Sequence, residues 1–294
     1  MGQCLSLPLY ILLKDINTKE KYAYLGDNMG KIVFSDIDGT LLDNNHRMLD
    51  SSYEAIKKLQ KQDIPFVIVT ARGPMGVYPI FKRYKFICPM VCYSGALIIG
   101  ADGEIVYSNG FSKDTAKAII SFLDKEKLDC TWNIYTMDSW IVNNKSDARV
   151  AREEAIVEAA STEGDVDMLS DGAEVGKLLC MCNPKDTDGI EAKLRKKFPG
   201  LSIVRSSDIL IEVMNKGITK GKSIEFLCEK WDIDIKDAVA FGDHYNDVDM
   251  LETVGHPFLM DNAPDELKTR ITNVTYSNEA DGIYYGLKQL GMIE

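Results

Sequence analysis

The chain has 294 residues, a length that argues for about two domains, each able to bury a core of its own. Hydrophobic residues at 45% and charged residues at 27% argue against the disordered, collagen-like and coiled-coil classes. The net charge of −11 disfavours nucleic acid and anionic lipid as partners, and no apolar run approaches the ~20 residues that span a bilayer.

Seven cysteines, an odd number without a CxxC pair, predict reduced structural thiols rather than disulfides or a zinc site. Reduced thiols favour the cytoplasm as the location of the protein. The histidines have no metal-ligand spacing, so we expect any metal to be held by carboxylates.

Residues 1–28 do not join the alternation of strands and helices that begins at Met29. We expect them to be an N-terminal extension outside the fold, or an over-long gene start. The first lysine, Lys14, follows the apolar stretch, which is the wrong order for a secretory signal. Gly2 and Ser6 fit the loose pattern for N-myristoylation.

After Met29, short apolar strands alternate with helical patterns at both ends of the chain, and this alternation is typical of a parallel sheet covered by helices. We predict these elements in chain order: a strand at 31–36, a helix at 51–62, a strand at 65–70, a helix at 220–231, a strand at 238–241, a short helix at 246–253 and a strand at 256–260. The two ends of the chain thus form one doubly wound α/β sheet.

The middle of the chain has a different pattern, with hairpin-like strands between helices. It predicts a helix at 113–128, strands at 130–136 and 140–144, a helix at 147–161, a strand at 177–182, a helix at 188–198 and a strand at 201–204. We therefore expect residues 112–205 to be an inserted α+β domain, and residues 29–111 with 206–294 to be a discontinuous core domain.

The strongest motif is Asp36-Ile37-Asp38-Gly39-Thr40, directly after the first strand. The carboxyl ends of strands in a doubly wound sheet face the ligand crevice, so two carboxylates meet there. Like charges at such short spacing need a cation or a proton between them. Mg²⁺ meets that need with oxygen ligands and also neutralises a phosphate group.

Three further segments fall at comparable positions. Thr70 follows the second strand, where its hydroxyl could donate to a phosphate oxygen. Lys220 and Lys222 open a helix, where a cation opposes the helix dipole and an anion would explain it. A later strand ends in Asp243 to Asp247, which provide two carboxylates and the amide of Asn246 for a metal site.

These four segments, in this order, resemble the haloacid dehalogenase-like (HAD) superfamily, and within it the Cof-type phosphatases. The resemblance covers about residues 30–294 and includes the tail pattern Asn262-Ala263-Pro264 and the segment from Ser277 to Gly282. It implies a Rossmann-like core with a large inserted cap. It also implies a hydrolase that acts on phosphate monoesters.

The resemblance implies that Asp36 is the nucleophile that forms an aspartyl-phosphate, and that Asp38 is the general acid and base. It implies that the phosphoryl oxygens are bound by Ile37, Thr70, Ala71, Lys220 and Asn246. It also implies that Mg²⁺ is bound by Asp36, the Asp38 carbonyl oxygen, Asp243 and Asp247. Lys222 is the alternative to Lys220 for the phosphate-binding role, and alignment with the family motif favours Lys220.

The chain departs from the Cof-type pattern after the third strand, where Ser94-Gly95 stands in place of an Asn-Gly pair. This difference concerns substrate contacts rather than the hydrolytic residues. The leading hypothesis is a magnesium-dependent phosphatase of sugar phosphates or of nucleotide or cofactor phosphates, acting as a monomer or weak homo-oligomer. The alternatives are a phosphomutase of the same superfamily and a catalytically silent module that binds phosphorylated metabolites.

Overall fold

The computed structural model describes residues 30–294, so the extension expected at residues 1–28 lies outside the described residues. The described chain divides into two compact units. Of the described residues, the first unit contains 30–71, 84–106 and 219–294, and the second contains 72–83 and 107–218. From residue 30 onward, the chain has no helix that is both long and apolar enough to cross a membrane.

The strands, in chain order, are β1 (Ile32–Ser35), β2 (Phe66–Val69), β3 (Met90–Cys92), β4 (Leu97–Ile99), β5 (Ile105–Ser108), β6 (Phe111–Ser112), β7 (Cys130–Tyr135), β8 (Trp140–Val142), β9 (Thr162–Glu163), β10 (Glu174–Val175), β11 (Lys177–Cys182), β12 (Leu201–Ser207), β13 (Leu210–Asn215), β14 (Ala238–Gly242) and β15 (His256–Leu259). The α-helices are α1 (Asp50–Lys61), α2 (Tyr78–Tyr84), α3 (Lys113–Lys125), α4 (Ala148–Val157), α5 (Thr187–Lys197), α6 (Lys220–Lys230), α7 (Val248–Thr253), α8 (Asp265–Arg270) and α9 (Gly282–Gln289).

A seven-stranded sheet with the order β15-β14-β1-β2-β3-β4-β5 forms the centre of the first unit. The strands from β15 to β3 are parallel, and β4 is antiparallel to β3. Every residue of β1, β2 and β14 is buried. Continuous apolar runs such as Phe66–Val69 form these strands because helices cover a parallel sheet on both faces.

Helices α6 and α7 contribute to the core on one face of this sheet. Ile224 and Leu227 of α6 and Leu251 of α7 are fully buried in a cluster with apolar side chains of β1, β2 and β14. Ile224 and Leu227 are three residues apart and so share the face of α6 that packs in this cluster, while the helix itself begins at Lys220.

The second unit is built on a six-stranded sheet with the order β12-β13-β11-β7-β8-β9. Its two faces belong to separate apolar clusters, because successive side chains of a strand point to opposite sides. Trp132 is buried on one face and Trp140 on the other. Trp140 donates its indole N–H to the fully buried Asn133 at 3.0 Å.

The structure confirms the α/β fold class with a parallel-sheet core and adds several strands that the sequence analysis did not predict, among which β13 changes the domain boundary. β13 pairs antiparallel with β11 and β12, so residues 206–218 lie in the second unit rather than the first. Residues 72–83 and 107–111, which the sequence analysis gave to the core domain, lie there as well. The strand β13 was missed because polar residues at 205–208 follow a short apolar run and the hairpin turn consists of only residues 208 and 209.

Candidate active site

The neighbouring strands β1, β2 and β14 carry the candidate residues at their carboxyl ends. Asp36 follows β1 and donates its backbone N–H to Phe241 of β14 at 3.0 Å. Thr70 follows β2 and donates its backbone N–H to Val91 of β3 at 2.8 Å. The sheet therefore brings Asp36, Thr70 and Asp243 to one edge, as the positions of the motifs predict.

Lys220 lies at the centre of a buried charge cluster at this edge. Its Nζ contacts Asp36 Oδ1 at 2.5 Å and Asp247 Oδ1 at 2.6 Å. The Lys220 side chain is 0% exposed and that of Asp36 is 8% exposed. Thr219 caps the first turn of α6 by accepting the backbone N–H of Lys222, whose own side chain is exposed. The geometry thus selects Lys220, and not Lys222, as the lysine beside Asp36.

Burial and charge act against each other in this cluster. Burial alone would lower the pKa of Lys220, but the carboxylates of Asp247 and Asp36 raise it above its ordinary value. Burial raises the pKa of Asp36 well above its usual range, although the Lys220 ammonium opposes that shift. Burial and the neighbouring Asp247 raise the pKa of Asp243 to about 7. The cluster therefore has more carboxylate than one ammonium can balance.

Asp247 is oriented by contacts to both of its oxygens. Oδ1 accepts from Lys220, and Oδ2 accepts the backbone N–H groups of Asp243 at 3.1 Å and His244 at 3.0 Å. The side chain is fully buried. Asp247 therefore fixes both the lysine and the turn that follows β14.

Asp243 is held by residues that the sequence analysis did not assign. Thr40 donates its hydroxyl to Asp243 Oδ1 at 2.8 Å. Asn262 donates its side-chain amide to the Gly39 carbonyl oxygen at 2.8 Å and approaches Asp243 Oδ2 at 3.4 Å. Asn262 in turn accepts the backbone N–H of Asn278 at 3.0 Å. Asn262 lies just beyond β15, so the rule that placed Asp36 at a carboxyl end could also have identified it.

The carboxylates of Asp36, Asp243 and Asp247 provide oxygen atoms within 4.8 Å of one another, and all three residues are buried. Carboxylate oxygens are the ligands that Mg²⁺ prefers. A divalent cation would also balance the negative charge that Lys220 leaves uncompensated. The donor set and its charge therefore fit a hard cation.

The other predicted site residues lie around this cluster. The Asp38 side chain is exposed, and its Oδ1 lies 3.7 Å from Nδ1 of His46. The Ile37 side chain is buried, and its carbonyl oxygen accepts the Leu42 N–H at 2.9 Å. Ala71 is half-buried and Asn246 is exposed. The structure thus brings Asp36, Lys220, Asp243 and Asp247 together in a buried cluster, with the carboxyl group of Asp38 at its solvent-facing side.

Ser94, where the chain departs from the Cof-type pattern, lies in a tight turn at the same edge. Its φ is +53° and that of Tyr93 is +52°, so two successive residues with side chains adopt the left-handed region. The Ser94 N–H donates to the Thr70 carbonyl oxygen at 2.9 Å. The turn after β3 is therefore tied to the end of β2.

The chain is similar in sequence to many known proteins. It matches the model of the family described as haloacid dehalogenase-like hydrolase over residues 33–287. A candidate phosphatase of Haemophilus influenzae is 36% identical over 258 residues, which cover 87% of this chain and 96% of that protein. The 5-amino-6-(5-phospho-D-ribitylamino)uracil phosphatase YwtE of Bacillus subtilis is 26% identical over 283 residues, covering 88% and 98% respectively.

A solved structure has a fold similar to that of this chain. The crystal structure of a haloacid dehalogenase-like hydrolase from Bacteroides thetaiotaomicron matches with a TM-score of 0.82 at 22% identity. The match covers 89% of this chain and 100% of that one. The two chains therefore share one architecture along nearly their whole length.

Proposed function

The chain belongs to the haloacid dehalogenase-like hydrolase family, and on that basis we propose that it is a magnesium-dependent phosphatase of small phosphorylated metabolites. The observation that carries the proposal is the buried Lys220 ammonium between Asp36 and Asp247, beside Asp243. Phosphoryl transfer depends mainly on positioning and on neutralisation of charge. A nucleophilic carboxylate with a cation at its side provides both.

Asp36 is the nucleophile in this proposal. Its carboxylate oxygen attacks phosphorus, and the bond between phosphorus and the ester oxygen breaks, leaving an aspartyl-phosphate. Asp38 donates a proton to the departing alkoxide. Asp38 then takes a proton from water, which attacks phosphorus and releases phosphate and the free Asp36 carboxylate. The exposed position of Asp38 suits a group that must meet both the leaving group and water.

Mg²⁺ would be held by Asp36, Asp243 and the Asp38 carbonyl oxygen, with Asp247 in support. Both oxygens of Asp247 already accept hydrogen bonds, so its role is to orient Lys220 and the turn at Asp243. When bound, Mg²⁺ supplies positive charge that offsets the negative charge of the transferred phosphoryl group. The raised pKa values of Asp36 and Asp243 support this assignment, because a second cation would favour the ionised carboxylates.

The phosphoryl oxygens would be bound by Lys220 and by groups at neighbouring strand ends. Thr70 follows β2 directly beside β1, within the same sheet edge as Asp36. Ala71 and Ile37 belong to the same two turns. Asn246 lies in the turn after β14 and is exposed, which leaves its amide available to a ligand.

The substrate class in this proposal is a sugar phosphate or a nucleotide or cofactor phosphate. YwtE, at 26% identity, is named for a phosphorylated ribityl compound, which belongs to that class. In this mechanism the residues at the strand ends contact the phosphoryl group and, through Asp38, the ester oxygen, but not the rest of the leaving group. Selection among such esters must therefore involve other side chains.

The first experiment is phosphate release from sugar phosphates, nucleotides, pyridoxal phosphate and a chromogenic aryl phosphate, with Mg²⁺ and with EDTA. We expect release that requires Mg²⁺ and is abolished by Asp36→Asn, since the substitution removes the nucleophile. Release in EDTA, or release by Asp36→Asn at a rate near that of the parent, would contradict the proposal.

A further inference from the structure

Two cysteines face each other across neighbouring strands of the six-stranded sheet. Cys130 is the first residue of β7 and Cys182 is the last residue of β11. The antiparallel register of these strands pairs Cys182 directly with Cys130. A third cysteine, Cys180, pairs with Trp132 and is therefore diagonal to Cys130.

The backbone hydrogen bonds show which kind of pair this is. The Cys182 N–H donates to the Ile209 carbonyl oxygen at 2.7 Å, and the Cys130 N–H donates to the Leu128 carbonyl oxygen at 3.0 Å. Neither amide donates to the opposite cysteine, so the pair is of the non-hydrogen-bonded kind. In such pairs the Cα atoms are about 4.5 Å apart, within the range of about 4.4–6.8 Å that a disulfide requires.

The side chains point the same way, and one of them reaches solvent. The two thiols lie within interaction distance of each other. Cys182 is buried, whereas Cys130 is only half-buried because it lies at the end of its strand. A small oxidant can therefore reach the Cys130 thiol, and the Cys182 thiol lies next to it on the buried side.

We propose that Cys130 and Cys182 form a dithiol modification site at which a hydroperoxide generates a cross-strand disulfide. Cys130 sulfur attacks a peroxide oxygen and the O–O bond breaks, giving a sulfenic acid and water or an alcohol. Cys182 sulfur then attacks the Cys130 sulfur, the S–O bond breaks and a second molecule leaves as water. The two sulfurs lose two electrons, which reduce the peroxide. The site is separate from the phosphatase residues and does not depend on the proposed function.

The resting form of the site is the dithiol. A hydrogen bond with the Cys130 thiol and burial raise the pKa of Cys182, and a hydrogen bond with the Cys180 thiol raises the pKa of Cys130. Thiolate is the reactive form, so the pair reacts slowly at neutral pH. This agrees with the expectation of reduced thiols in an untreated protein and requires an oxidant in the test.

The test treats the full-length protein with hydrogen peroxide and measures its intact mass under denaturing, non-reducing conditions. We expect a product about 2 Da lighter, with two fewer free thiols, that dithiothreitol returns to the starting mass. Cys130→Ala and Cys182→Ala should each abolish the 2 Da loss. Cys180→Ala is the matched control, since it removes a buried thiol of the same face and should leave the loss intact.

Peptide mapping of the wild-type protein gives the same answer without any variant. Cys180 and Cys182 fall on one tryptic peptide, and fragmentation of that peptide identifies the residue linked to Cys130. A link through Cys180, a disulfide that survives in Cys130→Ala, a dimer joined by disulfide, or oxygen addition to Cys130 in place of a link would each overturn the proposal.

Discussion

Gly39 and Asp243 approach so closely that no side chain fits between them. A Cβ atom on Gly39 would lie 2.3 Å from Asp243 Oδ2, closer than any real contact allows. Gly39 also has a φ of +79°, a conformation that disfavours residues with side chains. The turn after β1 therefore lets the carboxylate of Asp243 reach the backbone that follows Asp36.

We expect Gly39→Ala to damage both the stability and the metal site. The added methyl group displaces either the turn or Asp243, which costs about 1–3 kcal/mol in the free energy of unfolding. Mg²⁺-dependent phosphate release should fall at least about tenfold, because Asp243 loses its position. Denaturant unfolding and the rate as a function of Mg²⁺ concentration measure the two effects.

Gly30→Ala is the control for this substitution. A Cβ atom on Gly30 meets nothing within 4 Å, so this variant should retain the parent's stability and rate. A Gly39→Ala protein with the parent's Mg²⁺ dependence would refute the argument from close contact.

Lys220 and Lys222 should differ sharply when each is replaced by methionine. Lys220→Met leaves the buried carboxylates of Asp36 and Asp247 without their ammonium, and breaking a buried pair in this way costs about 3–5 kcal/mol. The rate should fall about 100- to 1,000-fold because a charge that faces the phosphoryl group is lost. Lys222→Met should change neither quantity.

Stability in these two variants is best measured in EDTA, so that no added cation replaces the lost ammonium. If Lys222→Met lowers the rate as much as Lys220→Met does, the assignment of the phosphate-binding lysine is wrong.

Thr40 should affect the metal site through its hydroxyl alone. Thr40→Val keeps the shape of the side chain but removes the hydrogen bond to Asp243, and the apparent affinity for Mg²⁺ should weaken about 10- to 100-fold. Thr40→Ser keeps the hydroxyl and should stay near the parent value. Equal losses in the two variants would point to packing of the threonine methyl group instead.

The stabilising effect of Mg²⁺ should increase with pH. Burial raises the pKa of Asp243 to about 7 in the folded protein without a cation. In the unfolded chain the pKa of an aspartate is about 3.9. Between these values the folded state binds the extra proton, so its stability falls as pH rises from about 4 to about 7. A bound cation removes that loss, because it favours the ionised carboxylate.

Thermal unfolding with and without millimolar Mg²⁺ tests this linkage. The increase in Tm on adding Mg²⁺ should be small at about pH 5 and larger at about pH 8. Asp243→Asn has no carboxyl group to titrate at this position and should show little Mg²⁺ effect at either pH. An increment that is equal at both pH values would contradict the role of Asp243.

The parts of the site that follow a strand could be predicted from the sequence because they depend on local pattern. The strand Ile32–Ser35, which begins with three apolar residues, ends just before Asp36, and the rule for parallel strands then gives the location of the Asp36 carboxylate. The choice between Lys220 and Lys222 could be made by the resemblance but not by spacing alone. Both open the same helix, and only the fold shows which one is buried.

Thr40 and the strand β13 were missed for different reasons. Thr40 bonds to Asp243 across 203 residues of chain, and such a contact depends on which strands become neighbours. β13 was missed because a turn of only two residues, Asp208 and Ile209, separates it from β12. A residue with a distant partner and a short hairpin both require the tertiary pairing to be known.

The pairing of β1 with β14 has a consequence for synthesis of the protein on the ribosome. β1 is made early, but its neighbour β14 follows about 200 residues later, after the whole second unit. At about 5–20 residues per second, roughly 10–40 s pass between the two strands. Throughout that interval the nascent chain carries an apolar strand with one unpaired edge, so Asp36 exists long before the Asp243 side of its site.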